Sequence, residues 1–152
     1  MIEEKGSFFF FAYPRMLGFS IVLVTGTIFA IAMNLEAAVE GVGTHHQLGL
    51  SPCNFLALTG IPCPGCGMTT TFTHLAHGNI GTGFRTQPFG AVLFFGMIWM
   101  FLLGLWDLLL GRQAVKRFLD ALLKRQKIFF LFFFSGMFLG WVFKIAGYNF
   151  GF

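Results

Sequence analysis

The sequence predicts an all-α integral membrane protein with three transmembrane helices, an external Cys-containing re-entrant or amphipathic segment, and a cytoplasmic interfacial helix. Three observations carry this. Apolar residues fill 56% of the 152 positions and charged residues only 11%, against about 25% charged in a soluble domain, so there is too little polar surface to face water. Phenylalanine alone occupies 23 positions, and mean hydropathy is +0.76. Three stretches reach the roughly 20 apolar residues that cross a bilayer core. A chain of this length makes a single membrane domain, 1–152.

The first span, about 16–35, follows Pro14, placed to start a helix, and Arg15, a basic anchor. The preceding Phe8–Phe11 run is too short to cross alone and leads into the helix or lies at the interface. A cleaved signal peptide is not expected, because Glu3 and Glu4 precede the apolar run, the run is too long, and no small-x-small site follows.

The external segment, 36–87, opens with a polar stretch holding Gly41, Gly43, His45 and His46. A mostly apolar stretch follows (Phe55, Leu56, Ala57, Leu58, Ile61) that dips into the interface or re-enters the membrane. Irregular backbone there must rest against protein or the interface, since hydrocarbon satisfies no amide. Residues 66–77 read as a short helix closed by Gly78 in the left-handed position. Residues 79–87 turn the chain into the second span, about 89–110, with Pro88 in its first turn.

In the loop 111–127, Val115, Phe118, Leu119, Leu122 and Leu123 recur at the spacing of one helix face, while Arg112, Lys116, Arg117, Lys124 and Arg125 fall mostly off it. That pattern describes an interfacial helix over 112–125 beneath anionic lipid headgroups, or a surface for an acidic partner. The third span covers about 128–146. Six of the ten basic residues lie in this loop, and only Arg85 in the external segment. The positive-inside rule therefore puts the loop and the N-terminus, with Lys5 and Arg15, in the cytoplasm and the cysteines outside. The net charge of +4 is a topology signal, and no nucleic-acid partner is expected.

All three cysteines, Cys53, Cys63 and Cys66, fall within fourteen residues. As metal ligands, Cys63 and Cys66 form half of a zinc site, with Cys53 third and one of His45, His46, His74 or His77 fourth. The favoured set is Cys53, Cys63, Cys66 and His74. Cys66 and His74 lie about 12 Å apart along a helix, so both reach one zinc ion only if the segment bends. As a redox pair, Cys63 attacks, Cys66 resolves and Cys53 shuttles. As a structural device, a disulfide or a set of free thiols staples the loop, and an odd count leaves one thiol over.

Other polar residues have plainer readings. The histidines suit a solvated loop better than a haem or chlorin. Asp107 and Lys144 sit near opposite ends of their spans, where snorkelling accounts for them, although an ionisable residue in a span is also a functional candidate. Trp99, Trp106, Trp141, Tyr13 and Tyr148 fit interfacial belts or partner contacts.

The chain has no nucleotide loop, no catalytic-triad pattern and no inward row of charges. The expected role is a non-catalytic accessory or scaffolding subunit of a larger bacterial membrane complex, with other integral membrane subunits as partners. The alternative is a membrane thiol-disulfide oxidoreductase or metal-handling factor using Cys63 and Cys66.

The run Cys53-Asn54-Phe55-Leu56-Ala57-Leu58-Thr59-Gly60-Ile61-Pro62-Cys63-Pro64-Gly65-Cys66-Gly67-Met68-Thr69 resembles the signature of a widespread family of small bacterial membrane proteins of unknown function. Its core reads C-P-x-C-G-[LM]-T-R after a cysteine and an L-T-G-[IL]-P run. Arg85-Thr86-Gln87-Pro88-Phe89-Gly90 is similar to the family's N-P-L-G turn into its next span. Thr70 stands where the family usually has arginine, and Gln87 where it usually has asparagine. The resemblance implies a multi-pass protein of the bacterial inner membrane with the motif between its first spans, and implies no activity.

Overall fold

Apolar runs longer than a bilayer core become helices because only a helix pairs its own backbone amides there. The computed structural model describes the backbone of residues 3–150 and the side chains of residues 13–147. It contains α1 (Glu3–Asn34), a 3-10 turn (Thr44–Leu48), α2 (Asn54–Thr59), α3 (Met68–Ala76), α4 (Ile80–Thr86), α5 (Pro88–Leu110), α6 (Ala114–Lys124) and α7 (Gln126–Phe150). There is no strand among the described residues. Three helices are long and apolar enough to cross a membrane, over Tyr13–Asn34, Pro88–Leu110 and Gln126–Gly147. The predicted all-α, three-span class is borne out. The side chains of Phe8–Phe11, Lys5 and Tyr148, read above as interfacial or topological signals, lie outside the described residues.

Pro14 does not start α1. It lies inside the helix and is fully buried, a position membrane helices tolerate better than soluble ones.

The chain divides into two compact units, Met1–Ile28 with Gly96–Phe129, and Phe29–Phe95 with Phe130–Phe152. In the first, α1 and α5 approach through facing glycines. A Cβ on Gly18 would lie 2.6 Å from the Gly104 carbonyl oxygen, and one on Gly104 3.0 Å from Ile21. Without a hydrophobic drive between spans, such small residues give the close backbone packing that holds them.

The same unit contains α6, whose Val115 is buried while Lys116, Arg117 and Lys124 are exposed. Its first turn is held from the preceding span. Gly111 and Gln113 both take positive φ, 66° and 56°, reversing the chain so that the Ala114 and Val115 amides donate to the two carboxylate oxygens of Asp107 at 2.6 and 2.9 Å. Asp107 is fully buried. The snorkelling reading of this residue is corrected: its carboxylate is a helix cap supplied in advance, and it favours the positive end of the α6 dipole.

The second unit holds the segment 36–87. Phe94 packs edge-on against both Phe29 and Phe72, and Phe89 against Phe133. Gly136 and Gly140 of α7 admit the Phe89 ring and backbone. The stretch 79–87, expected to be a turn, contains α4. Its glycines weaken the helix signal, but Gly83 is what lets α4 lie on α3, since a Cβ there would sit 2.7 Å from Leu75. The Thr71 hydroxyl also donates to the Gly83 carbonyl at 3.3 Å.

Candidate thiolate metal centre

Prolines and glycines around Cys63 and Cys66 remove amides and side-chain bulk, which leaves a loop rich in carbonyl acceptors and short of donors. The backbone closes what it can. The Cys66 amide donates to the Cys63 carbonyl at 3.0 Å, and the Met68 amide to the Gly65 carbonyl at 3.2 Å. Gly67, at φ 85°, then hands the chain to α3. Gly78, at φ 80°, follows the end of α3 as the sequence predicts.

Side chains from the spans supply the missing donors. The indole Nε1 of Trp141 on α7 donates to the Pro62 carbonyl at 2.7 Å. The amide Nε2 of Gln87, at the mouth of α5, donates to the Pro64 carbonyl at 2.9 Å. Lys144, one turn beyond Trp141, donates from Nζ to the Gly41 carbonyl at 2.9 Å. It is only 7% exposed, so the snorkelling reading fails here too. Beneath the loop, the hydroxyls of Thr44 and Thr70 share a 2.8 Å hydrogen bond, and Thr44 also accepts from the Ala38 amide. The buried Thr70 hydroxyl thus ties two parts of the segment together.

This frame brings the three sulfurs together. Cys53, Cys63 and Cys66 present Sγ atoms that all lie within 4.8 Å of one another, with Cys63 and Cys66 at 3.2 Å. All three are free thiols in this structure. Cys53 comes from the residue preceding α2, and the other two come from the turn before α3.

Their surroundings differ. The first-turn Leu56 amide, and after it the Cys66 thiol, favour the charged form of Cys53 and lower its pKa. Burial, followed by the Cys63 thiol, pushes Cys66 up to about 12. Cys53 is therefore more readily ionised than Cys66, which gives up its proton only to a strong competitor.

The cysteines open onto a cavity of about 740 Å³ whose walls include Leu50, Leu56, Glu40, His45 and His46. His74 is elsewhere. With His77 it lines a separate hollow beside Leu35, Glu36 and Asn79, and it is not among the groups that converge with the sulfurs. Burial, then the neighbouring His77, lowers its pKa, so it is neutral at physiological pH. His77 Nδ1 lies 2.8 Å from the Thr73 carbonyl oxygen. Of the four predicted residues, the structure brings three together. His45 and His46, weighed as alternatives to His74, share the cavity with them.

Sequence reasoning missed the clamp of Trp141, Gln87 and Lys144. A signal was present in the i, i+3 spacing of Trp141 and Lys144, which places both on one face of α7.

Residues 53–101 match the model of a family described as proteins of unknown function, DUF2752. The matched stretch holds all three cysteines, α3, α4 and the first part of α5. No curated protein and no solved structure matches the chain.

Proposed function

We propose that this protein carries a three-thiolate site for a soft metal ion at the membrane surface and acts in metal handling. One observation carries the reading, the convergence of three Sγ atoms within 4.8 Å. Metal–sulfur bonds of about 2.3 Å at tetrahedral angles place sulfurs about 3.8 Å apart, and the sulfurs here need only small side-chain rotations to reach that spacing. Thiolates select soft ions such as Zn²⁺ or Cu⁺ over hard ones. Binding exchanges protons for metal: a divalent ion and three S–H groups give a tris-thiolate complex and three H⁺. Cys53 ionises more easily than Cys66, so it meets the ion before Cys66 does, and the ion's charge then displaces the proton of Cys66.

A redox pair accounts for the geometry less well. A resolving thiol held near 12 is protonated at neutral pH and attacks slowly, and a pair leaves the third sulfur without a role. The accessory-subunit reading fits the same centre in another capacity, with the metal closing the external segment of a non-catalytic membrane subunit. In either capacity we place the protein in the bacterial inner membrane, with its cysteine segment outside, α6 on anionic lipid and other integral membrane subunits as partners.

Metal analysis of the protein purified in mild detergent tests the proposal. About one soft metal ion per chain is expected, lost in Cys53→Ser, Cys63→Ser and Cys66→Ser alike. Metal-free protein with a Cys63–Cys66 disulfide, and partner-linked mixed disulfides in Cys66→Ser, would overturn it in favour of thiol exchange.

A further inference from the structure

We infer that the thiolate centre is matched to a divalent soft cation, with Lys144 as its fixed counter-charge. This inference rests on the metal-site reading above and deepens it by naming the charge class of the ion.

A lysine in an apolar span is costly and calls for a reason. Lys144 lies in the third apolar helix, Gln126–Gly147, and is 7% exposed. Among the described residues its hydrogen-bond acceptor is the neutral carbonyl of Gly41 at 2.9 Å, which does not offset a full positive charge. It is also tied to the cysteine turn. Gly67, the residue after Cys66, passes so close that a Cβ on it would lie 3.1 Å from Lys144 Nζ and 2.7 Å from the Gly41 carbonyl oxygen. Only a glycine fits both this gap and the φ of 85° at that position. The chain thus holds the ammonium against the backbone of Gly67, the residue that follows the ligand Cys66.

The charges then decide the ion. Three thiolates carry minus three, and a divalent ion brings the complex to minus one. Lys144 brings the buried group to zero. A monovalent ion on the same three thiolates leaves a net charge of minus one after Lys144 is counted, and a net charge beside buried groups is unfavourable. With all three sulfurs bound as thiolates, the sum with Lys144 is therefore zero for a divalent ion and minus one for a monovalent ion.

The experiment compares wild type, Lys144→Gln and Lys144→Arg by titration with Zn²⁺ and Cd²⁺, following sulfur-to-cadmium absorption and, separately, thermal unfolding of the metal-free protein. Glutamine keeps a donor for the Gly41 carbonyl and removes the charge, whereas arginine keeps the charge. Lys144→Gln should bind both ions at least tenfold more weakly, with metal-free stability close to wild type. Lys144→Arg should stay within about threefold of wild type. Equal affinity in wild type and Lys144→Gln would overturn the inference, as would equal losses in both variants. Copper as the sole stoichiometric metal of the purified protein would also overturn it, yet leave the three-thiolate reading standing. Absence of any metal from wild type would instead remove that reading itself.

Discussion

Two ionisable residues are buried within the spans, and the chain treats them in opposite ways. Asp107 receives two backbone amides at 2.6 and 2.9 Å, so its charge is spent on starting α6. Lys144 receives one carbonyl at 2.9 Å and lies against the turn that carries Cys66. A charge fully occupied by the backbone belongs to the fold. A charge only partly answered, beside three convergent sulfurs, points to something that arrives later. On the proposal above, the difference separates a structural ion from a functional one where sequence position, near the end of a span in both cases, does not.

The sharpest way to break this comparison is to ask whether the two residues serve opposite faces of the membrane. A cysteine replacing the fully exposed Val39 should label completely with an impermeant maleimide applied outside, as mapped by mass spectrometry, and one replacing Ala121 should not label. Labelling of Ala121→Cys alone would invert the assignment, and labelling of both would break it.

Next in size is Asp107→Ala. It strands two amides at the start of α6, and unsatisfied buried groups cost roughly 1–3 kcal/mol each. Thermal unfolding should show a loss of about 3 kcal/mol while metal stoichiometry is unchanged. A variant that loses metal but not stability would erase the distinction between the two charges.

Alkylation of the metal-free protein should sharpen the comparison on the thiol side. The alkylating species is the thiolate, so reaction rises with pH through each pKa. Cys53, lowered by the Leu56 amide, should react at a lower pH than an ordinary thiol. Cys66, pushed up to about 12, should stay largely unmodified at pH 9. Equal rates at the two sites across pH 6–9 would remove the argument that Cys53 meets the metal before Cys66 does.

The smallest effect belongs to Trp141→Phe, which keeps the ring and deletes one hydrogen bond to Pro62. A loss of about 1 kcal/mol in unfolding stability is expected, with metal affinity reduced less than in Lys144→Gln. A larger affinity loss than in Lys144→Gln would mean that loop position, not charge, controls the site.

The parts of this molecule legible in its sequence are those set by composition and period. The three apolar helices follow from hydropathy, and α6 follows from the spacing of Val115, Phe118, Leu119, Leu122 and Leu123. Cys53, Cys63 and Cys66 were legible as a candidate group from their clustering within fourteen residues, although an extended chain of that length could part them by tens of ångströms. What stayed hidden depends on long-range contact. Gly81 and Gly83 make α4 read as a turn, because the benefit of packing Gly83 on Leu75 appears only once α3 is in place. Trp141 and Lys144 look like interfacial anchors until the carbonyls they reach, 79 and 103 residues away in sequence, are known. The cap by Asp107 needed the chain reversal at Gly111 and Gln113, and a positive φ at glutamine leaves no mark in a sequence. His74 shares the chemistry of a ligand but faces a different hollow.

The two donors on α7 have one more consequence. Trp141 and Lys144 stand a turn apart on the same helix and hold two separate points of the loop, the carbonyls of Pro62 and Gly41. A slide of α7 by one turn, about 5.4 Å, would part both bonds together, and so would a rotation that carries this face away. The cysteine turn is thus geared to the axial position of a transmembrane helix. Anything that resets that position, such as a thicker or thinner bilayer or a neighbour pressing on the exposed phenylalanines of α7, reaches the sulfurs as a movement of their frame.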